Sequence, residues 1–206
     1  MGLISNGTTI FDAGAIDSGI AKGAMTFIKK LTASNSANLT FLNGSSNVVL
    51  DSTYKEYIFK FYDVHPSTQS SFFFNMSVDS GSNYNVAKTT TYFHASNNEA
   101  GGSNEAAYQS GSDLAQGTGF QRLQNFAASN NDDCCVGTLH LFDPSSTTFV
   151  KFFNARVNFY EAASTRMIVN HYTAVYFNTT SAIDEISFKM ASGNIDSGTF
   201  KLYGIK

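Results

Sequence analysis

Alternation of apolar and polar residues with a period of two recurs along this chain, and it constrains the fold more than any other feature. In the stretch SSFFFNMSVD, Phe72, Phe74 and Met76 fall on one side of an extended chain, while Phe73 and Asn75 fall on the other. Successive side chains of a strand point to opposite faces, so this pattern is typical of half-buried strands. It predicts strands over residues 25–31, 38–42, 56–64, 70–78, 84–94, 136–142, 149–160, 167–177 and 183–190.

The composition favours the same fold class. Among 206 residues there are 19 Phe and 10 Tyr but no Trp, and charged residues make up only 14%. Aromatic residues and Thr fit a pleated surface, while few stretches contain the Glu, Lys, Ala and Leu of a solvated helix. Many short strands separated by turns predict an all-β fold, an antiparallel β-sandwich resembling a jelly roll, with little helix. One domain over 1–206 is the expectation for this length.

Two pairs of predicted strands are close enough in sequence to form hairpins. The segment 70–94 predicts one hairpin with a long loop, and 183–205 predicts a second. In the second, Gly193 and Gly198 have nearly the spacing of a phosphate-binding loop. Such a loop needs a lysine where Thr199 stands, and a helix after it. Because the residues that follow alternate as a strand, we interpret the glycines as turn residues that tolerate positive φ.

One segment breaks the alternation. Residues 95–119 are rich in Gly, Ser and Asn with almost nothing to bury, which predicts a long surface loop. The simplest interpretation is a surface loop that a partner subunit orders. The following FQRLQNF fits a strand or a short helix equally well.

The charge and the length of the apolar runs argue against two classes of partner. The formal net charge is −3, and no basic run exceeds Lys29–Lys30, so a nucleic-acid footprint is not expected. No apolar run approaches the roughly 20 residues that cross a bilayer, so no membrane association is expected. The first residues lack a signal-peptide pattern, which predicts a chain made in the cytosol.

The histidines and cysteines form no recognisable site in the sequence. No Gly-x-Ser-x-Gly elbow occurs, and no two histidines have metalloprotease spacing. We expect His65 to be a turn residue and His140 to face solvent or a subunit contact, while His94 and His171 could line one patch. The adjacent Cys134 and Cys135 suit neither a disulfide nor, with only His140 nearby, a zinc site; two ordinary thiols are predicted.

The carboxylates are predicted to be structural. Glycoside hydrolysis needs two carboxylates flanking a cleft, but the acids here fall mostly in predicted turns, where Asp commonly bonds its own backbone. These are Asp51, Asp63, Asp79, Asp143, Glu161 and Asp196. The run NNDD at 130–133 offers oxygen ligands for calcium but without a known spacing, so a solvated turn is predicted. The sequence therefore nominates no catalytic, cofactor-binding or metal-binding residue.

Several tyrosines allow three interpretations. They could stack on sugar rings, form a protein interface or belong to the core. The residues in question are Tyr92, Tyr108, Tyr160, Tyr172 and Tyr176. The sequence leaves these alternatives open.

Four stretches carry a resemblance to a known group. The ending I-x-F-x-x-x-SGNI-x-SGT-x-x-LYGI, here Ile186 to Ile205, resembles the C-terminus of small virion structural proteins of tailed bacteriophages, particularly marine ones. Three further stretches are similar to that group and occur in the same order as in it: YKEYIFKFYDVHPST from Tyr54, VDSGSNYN from Val78 and GTLHLFDPSSTTFVK from Gly137. They span about three quarters of the chain and are turn-and-strand patterns, so the resemblance transfers no active-site residue.

The resemblance implies a non-enzymatic structural subunit displayed on the virion surface, with capsid decoration or a knob as the first expectation. The alternative is a tail-fibre or receptor-binding tail component that recognises a host-surface glycan. Expected partners are other virion proteins, either major capsid or tail proteins, and further copies of the chain, with a trimer as the guess. Assembly would take place in the host cytoplasm, and no cofactor is expected.

Overall fold

The structure, a computed structural model, describes residues 3–12, 15–16, 23–102, 104–127, 129–161 and 166–206. The chain is all-β, with 59% strand, and no helix occurs in these ranges. The strands are β1 Leu3–Ser5, β2 Thr8–Asp12, β3 Ala15–Ile16, β4 Met25–Ser36, β5 Leu39–Leu42, β6 Glu56–Pro66, β7 Ser70–Ser77, β8 Lys88–Asn98, β9 Asn104–Tyr108, β10 Gln121–Ala127, β11 Cys135–Phe142, β12 Lys151–Glu161, β13 Met167–Phe177, β14 Glu185–Met190 and β15 Ile195–Ile205.

Two antiparallel sheets form the predicted sandwich. The small sheet has the order β10-β7-β14-β5, and the large sheet has the order β4-β15-β6-β11-β12-β13-β8-β9. Strands β1, β2 and β3 form a separate three-stranded sheet. In the sandwich, β4 pairs with β15, β5 with β14, β6 with β11 and β7 with β10. This nested pairing of first with last strand is the double Greek key of a jelly roll, so the expected fold class is confirmed.

Two insertions widen the large sheet beyond that eight-strand pattern. Strands β8 and β9 lie between β7 and β10 in sequence, and β12 and β13 lie between β11 and β14. All four extend the large sheet on the side of β11. The large sheet therefore has twice as many strands as the small sheet.

Phenylalanine rings fill the space between the two sheets. Phe188 on β14 packs against Phe61 and Phe200 of the large sheet at centroid distances of 5.1 and 5.6 Å. It also stacks on Phe72 of its own sheet at 5.9 Å. All four rings are at most 2% exposed. Aromatic pairs in these geometries contribute beyond the area that they bury, so this cluster is the centre of the core.

Both predicted hairpins are wrong, although their strands are present. β7 and β8 lie in different sheets, and so do β14 and β15. Each connection arches from one sheet to the other, so that Phe188 and Phe200 meet across the sandwich and not along one sheet. Alternation shows which face of a strand is buried. It does not show whether the next strand pairs with that strand or crosses to the opposite sheet. The pattern could not distinguish the two arrangements.

Side-chain hydrogen bonds hold these arches. At the first, the Ser80 backbone N–H donates to the Asp184 carboxylate at 3.0 Å, and the Tyr84 hydroxyl donates to Glu185 Oε1 at 2.6 Å. At the second, Ser192 N donates to Ser70 Oγ at 2.9 Å. The polar residues that predicted turns therefore anchor connections between the sheets.

The stretch expected as a loop over 95–119 is partly a hairpin. β8 continues to Asn98 and pairs with β9, whose five residues end at Tyr108. The remaining 109–120 segment is bonded to β8, with Leu114 N donating to Thr90 Oγ1 at 2.8 Å. Small and polar residues without alternation gave no strand signal, because β9 lies at the sheet edge with both faces largely exposed. FQRLQNF contributes the strand β10, which resolves its ambiguity in favour of a strand.

The C-terminal stretch is an interior strand of the large sheet, next to the edge strand β4. β15 runs between β4 and β6, so LYGIK is the last strand, as predicted. Gly193 has φ +67 in the connection, while Gly198 has φ +137 within β15. A Cβ at Gly198 would lie 2.9 Å from Val64 Cα. Gly193 is the turn residue that was expected, but Gly198 allows two strands to approach closely at an irregular point of the ladder.

Candidate functional site

The outer face of the large sheet, which points away from the small sheet, is the most distinctive surface. Along β12, Phe153, Ala155 and Val157 are buried towards the small sheet, while Phe152 and Arg156 are exposed. Residues opposite each other in antiparallel strands share a face, so the register defines rows of side chains across this surface. The exposed large apolar residues on this outer face are Met25, Phe27, Tyr62, Phe93, Tyr108, Val136, Phe142, Phe152 and Ile168.

One row forms an aromatic ridge. The register places Tyr108, Phe93 and Tyr172 next to one another on β9, β8 and β13. The rings of Phe93 and Tyr172 stack at 4.9 Å with an interplanar angle of 9°. Arg156 on β12 continues the row, with its guanidinium 5.4 Å from the centre of the Tyr172 ring. Its Nε donates to Asn170 Oδ1 at 3.2 Å. Phe93 and Tyr172 therefore stack face to face, and the row ends in the positive charge of Arg156 over the Tyr172 ring.

A second aromatic ridge runs parallel to the first, four residues further along the strands. It comprises Tyr176, Phe152 and Phe142 on β13, β12 and β11. The row between the ridges carries smaller side chains, including Ala174 and Asn154. Because short side chains lie between tall aromatic ones, a trough crosses the strands.

Two adjoining depressions make up this trough. One, of about 370 Å³, is lined by Phe93, Tyr172 and Arg156 together with Asn154 and Thr138. The other, of about 250 Å³, is lined by Phe152, Tyr176, Thr89 and Thr91, and Ala174 lines both. Apolar walls with a few polar groups suit a ligand that presents both flat faces and hydroxyl or charged groups.

His140 lies at one end of the trough and is paired with an acid. Its Nδ1 is 2.6 Å from Glu56 Oε1, on the neighbouring strand β6. With the proton on Nδ1 the imidazole donates to the carboxylate, and Nε2 is left for other partners. The expectation that His140 simply faces solvent or a subunit is therefore refined, because Glu56 fixes the ring.

The two histidines that could share a patch do meet, but inside the sandwich. His94 and His171 lie opposite each other on β8 and β13, with ring centroids 5.5 Å apart. His171 is only 2% exposed and packs between Tyr92 and Phe159 at 4.7 and 5.2 Å. Burial, with smaller contributions from His94 and Arg122, lowers the pKa of His171 to about 3. The imidazole is therefore neutral at physiological pH.

This end of the interior is polar. Within the described ranges, the Tyr92 hydroxyl and His171 Nδ1 are buried without a hydrogen-bond partner. A cavity of about 190 Å³, lined by His94, Glu105, Asn125 and His171, opens beside them. Burial also raises the pKa of Tyr92. Tyr92 is fully buried, so its interpretation as a sugar-stacking residue is wrong.

The remaining tyrosines differ in exposure. Tyr108 is 54% exposed, whereas Tyr160, Tyr172 and Tyr176 are half-buried on the outer face. Tyr108 donates to Asp113 Oδ2 at 2.5 Å. Three of them, Tyr108, Tyr172 and Tyr176, belong to the two ridges. The sequence could not separate these from Tyr92, because a shift of one residue along a strand decides which face a side chain joins.

The NNDD segment forms a turn, as expected, but it is not solvated throughout, because Asp133 is only 1% exposed. Asn130 donates through N and Nδ2 to Asp133 Oδ2 at 3.1 and 2.7 Å. His65 Nε2 lies 3.0 Å from Asn130 O. His65 lies in β6, where its Nδ1 is 3.6 Å from Asp196 Oδ2, so its expected turn position is wrong. Among the residues that the structure describes, no three His, Cys, Asp or Glu side chains are arranged to hold a metal ion.

The predicted turn carboxylates divide into two groups. Asp51, Asp79 and Asp143 lie in turns, and hydrogen bonds from Ser77 and Asn83 lower the pKa of Asp79. Asp63 and Asp196 lie within strands β6 and β15, against expectation. The Glu161 side chain lies outside the described part.

Both cysteines are free thiols, as predicted. Cys135 is buried in the core, and burial raises its pKa. Burial likewise raises the pKa of Cys134, with nearby Asp63 and Asp133 adding to the effect. Neither thiol is activated for nucleophilic chemistry by these surroundings, since a reactive thiol needs a lowered pKa.

Comparisons with protein-family models, with curated proteins and with solved structures return no match to this chain. In the described part of the chain, no helix is both long and apolar enough to cross a lipid bilayer.

Proposed function

We propose that this chain is a non-enzymatic structural subunit on the surface of a tailed-bacteriophage virion, serving as a capsid decoration or knob protein. The observation that carries the proposal is the outer face, where Phe93, Tyr108 and Phe152 are each 43–55% exposed within one sheet surface. Contiguous exposed apolar surface marks interaction sites. The four stretches that resemble small virion proteins supply the class of partner.

The contact surface follows from this arrangement. Tyr, Phe and Arg are enriched in protein interfaces, and the outer face presents all three in the two ridges and Arg156. Neighbouring capsid or tail proteins, and other copies of this chain, would cover the ridges. The small sheet and the core would then serve to hold the outer face flat and rigid.

Two measurements test this proposal. Mass spectrometry of purified particles should detect the chain, and a photo-crosslinker placed at Phe152 should attach it to another virion protein or to a second copy. The same crosslinker at Lys189, on the opposite sheet, serves as the control and should give few crosslinks. Absence of the chain from particles would contradict the proposal, and equal crosslinking from both positions would contradict the role of the outer face.

A second candidate is a tail component that binds a host-surface glycan. The trough favours it, because the stacked Phe93 and Tyr172 rings stand beside Asn154, Thr138 and Arg156. Rings stack on sugar faces, and amide and hydroxyl groups bond sugar hydroxyls. A glycan array should give signals that Tyr172→Ala removes. Silence across the array for the parent protein would count against this candidate, and immunogold labelling of particles would separate head from tail.

A further inference from the structure

Basic residues that lie far apart in the sequence meet in one row across the outer face. The register places Arg156 opposite Thr138, and Thr138 opposite Lys60. Lys60 lies opposite Lys201, and Lys201 lies opposite Lys30. We call Arg156, Lys60, Lys201 and Lys30 the basic row. It crosses five strands spaced about 4.8 Å apart, and therefore spans roughly 19 Å.

The basic row is not neutralised by nearby acids. The ion pairs in the described part of the chain involve Lys55, His65, His94 and His140 as cations, and no member of the basic row. Like charges directly opposite each other in a sheet are destabilising. Three lysines in adjacent strands therefore oppose folding, in a chain whose net charge is −3.

Tyrosine rings hold two of these lysines in place. Lys60 Nζ lies 5.5 Å from the centre of the Tyr203 ring, and Lys201 Nζ lies 4.8 Å from that of Tyr62. A cation over a ring is attracted to it but keeps its full charge. These contacts fix the ammonium groups above the sheet and leave them available to an anionic partner.

The basic row continues directly into the first aromatic ridge. Beyond Arg156, the same row contains Tyr172, Phe93 and Tyr108. One line across eight strands is thus cationic in one half and aromatic in the other. A partner that lies along it must offer repeated negative charges and apolar surface that packs against the aromatic side chains.

We propose that the outer face binds a linear acidic polysaccharide, with carboxylate or sulfate groups on the basic row and sugar rings on the aromatic ridge. This inference rests on the second candidate function, glycan binding, and names its substrate class. An extended polysaccharide advances by one sugar over a distance close to the strand spacing, so successive anionic groups can reach successive cations. Thr138, between Arg156 and Lys60, and Asn154, beside Arg156 on β12, supply groups that bond sugar hydroxyls.

A single-stranded nucleic acid also combines charge with stacking faces. The surroundings favour the polysaccharide, because the basic row is a single file of four cations on an acidic protein. A nucleic-acid groove needs enough lysines and arginines to neutralise phosphates over its whole length. The binding test therefore includes a single-stranded nucleic acid as one of its probes.

The test is a set of binding titrations with the full chain. The probes are alginate and dextran sulfate as carboxylated and sulfated polymers, neutral dextran of matched length, and oligo-dT. We expect binding to at least one acidic polymer, weakening as salt rises, and at least tenfold weaker binding to dextran and oligo-dT. Lys60→Ala/Lys201→Ala should weaken acidic-polymer binding at least tenfold, whereas Tyr172→Ala should weaken it without changing its salt dependence.

Lys55→Ala/Lys189→Ala is the matched control, because it removes the same charge outside the basic row and should leave affinity unchanged. Circular dichroism must show both double variants folded. Equal loss in the control, or tighter binding to oligo-dT, overturns the proposal. If dextran binds as well as the acidic polymers, glycan binding stands but the acidic class is wrong. Failure of every polysaccharide to bind overturns both, and leaves the virion-subunit proposal to be decided by particle composition.

Discussion

The inner and outer faces of the large sheet carry similar aromatic residues in opposite surroundings. On the inner face, Phe61 and Phe200 are at most 2% exposed and pack against Phe188 of the small sheet. On the outer face, Phe93 and Phe152 are 43% and 55% exposed. Only the presence of an opposing sheet distinguishes the two. Aromatic content therefore identifies strands, while the sheet packing decides which rings stabilise the fold and which are left for a partner.

The polar residues show the same contrast. The inner face tolerates buried Lys88 and Lys151 because backbone carbonyls accept their hydrogen bonds, as in Lys151 Nζ to Ser146 O at 2.6 Å. Burial lowers the pKa of Lys88 to about 8. On the outer face, Lys60 lies opposite Lys201, and Lys201 lies opposite Lys30. Backbone carbonyls accept hydrogen bonds from Lys88 and Lys151, whereas no ion pair in the described part of the chain involves Lys60 or Lys201.

Removing β15 should have the largest effect. Deleting residues 198–206 removes most of the strand that joins β4 to β6, together with the core side chains of Phe200 and Leu202. We expect no soluble folded protein, measured by expression in the soluble fraction and by thermal melting. A truncated chain with an unchanged melting temperature would show that this strand does not close the core.

A matched pair of truncations compares the two faces directly. Phe188→Ala should lower the free energy of unfolding by about 3–5 kcal/mol, since it leaves a cavity within the ring cluster. Phe152→Ala on the outer face should lower it by less than about 1 kcal/mol, because its ring is mostly exposed. Urea unfolding measures both values. Similar losses for the two variants would remove the distinction between the faces.

Acid should destabilise the polar end of the inner face. In the unfolded chain His171 titrates near its ordinary pKa of 6.5, whereas in the fold its pKa is lowered to about 3. The contribution of His171 to the free energy of unfolding is therefore fully present above pH 6.5. Between pH 6.5 and 3 the free energy of unfolding falls by up to about 1.4 kcal/mol per pH unit, because only the unfolded state binds the proton.

His171→Phe tests the source of this pH dependence. Urea unfolding at pH 7 and pH 5 should show a smaller loss of stability in the variant than in the parent. An identical loss in both proteins would assign the acid sensitivity to other groups.

The smallest expected effect is a gain in stability. Lys201→Thr removes the charge that lies opposite both Lys60 and Lys30, and Thr suits a strand. Relief of like-charge contacts should raise the free energy of unfolding by about 0.2–1 kcal/mol at low salt, and by less at high salt. Lys189→Thr on the other sheet is the control. A loss of stability in Lys201→Thr would mean that the cation–π contact with Tyr62 outweighs the repulsion.

The sequence predicted what depends on neighbouring residues. Alternation is local, so β13 was predicted with its bounds at Met167 and Phe177, and the all-β sandwich followed from many such strands. Pairing is not local, which is why the segments 70–94 and 183–205 were wrongly predicted as hairpins. Either arrangement buries the same faces of the strands, and no single-sequence pattern separates them.

Predicting the candidate site would also have required the strand register. Arg156, Lys60, Lys201 and Lys30 are scattered along the chain, and their lack of clustering in sequence argued against a nucleic-acid footprint. Four ladders bring them into one row. The 95–119 segment was predicted as a loop for a related reason, since the edge strand β9 buries almost nothing and so leaves no hydrophobic pattern.

The central claim is that the outer face serves partners and not the fold. The most direct test is incorporation of a Phe152→Ala/Tyr172→Ala double variant into virus particles in competition with the parent chain, after urea unfolding has shown both to be folded. We predict a free energy of unfolding within about 2 kcal/mol of the parent, with incorporation reduced at least tenfold. Incorporation equal to that of the parent would contradict the account.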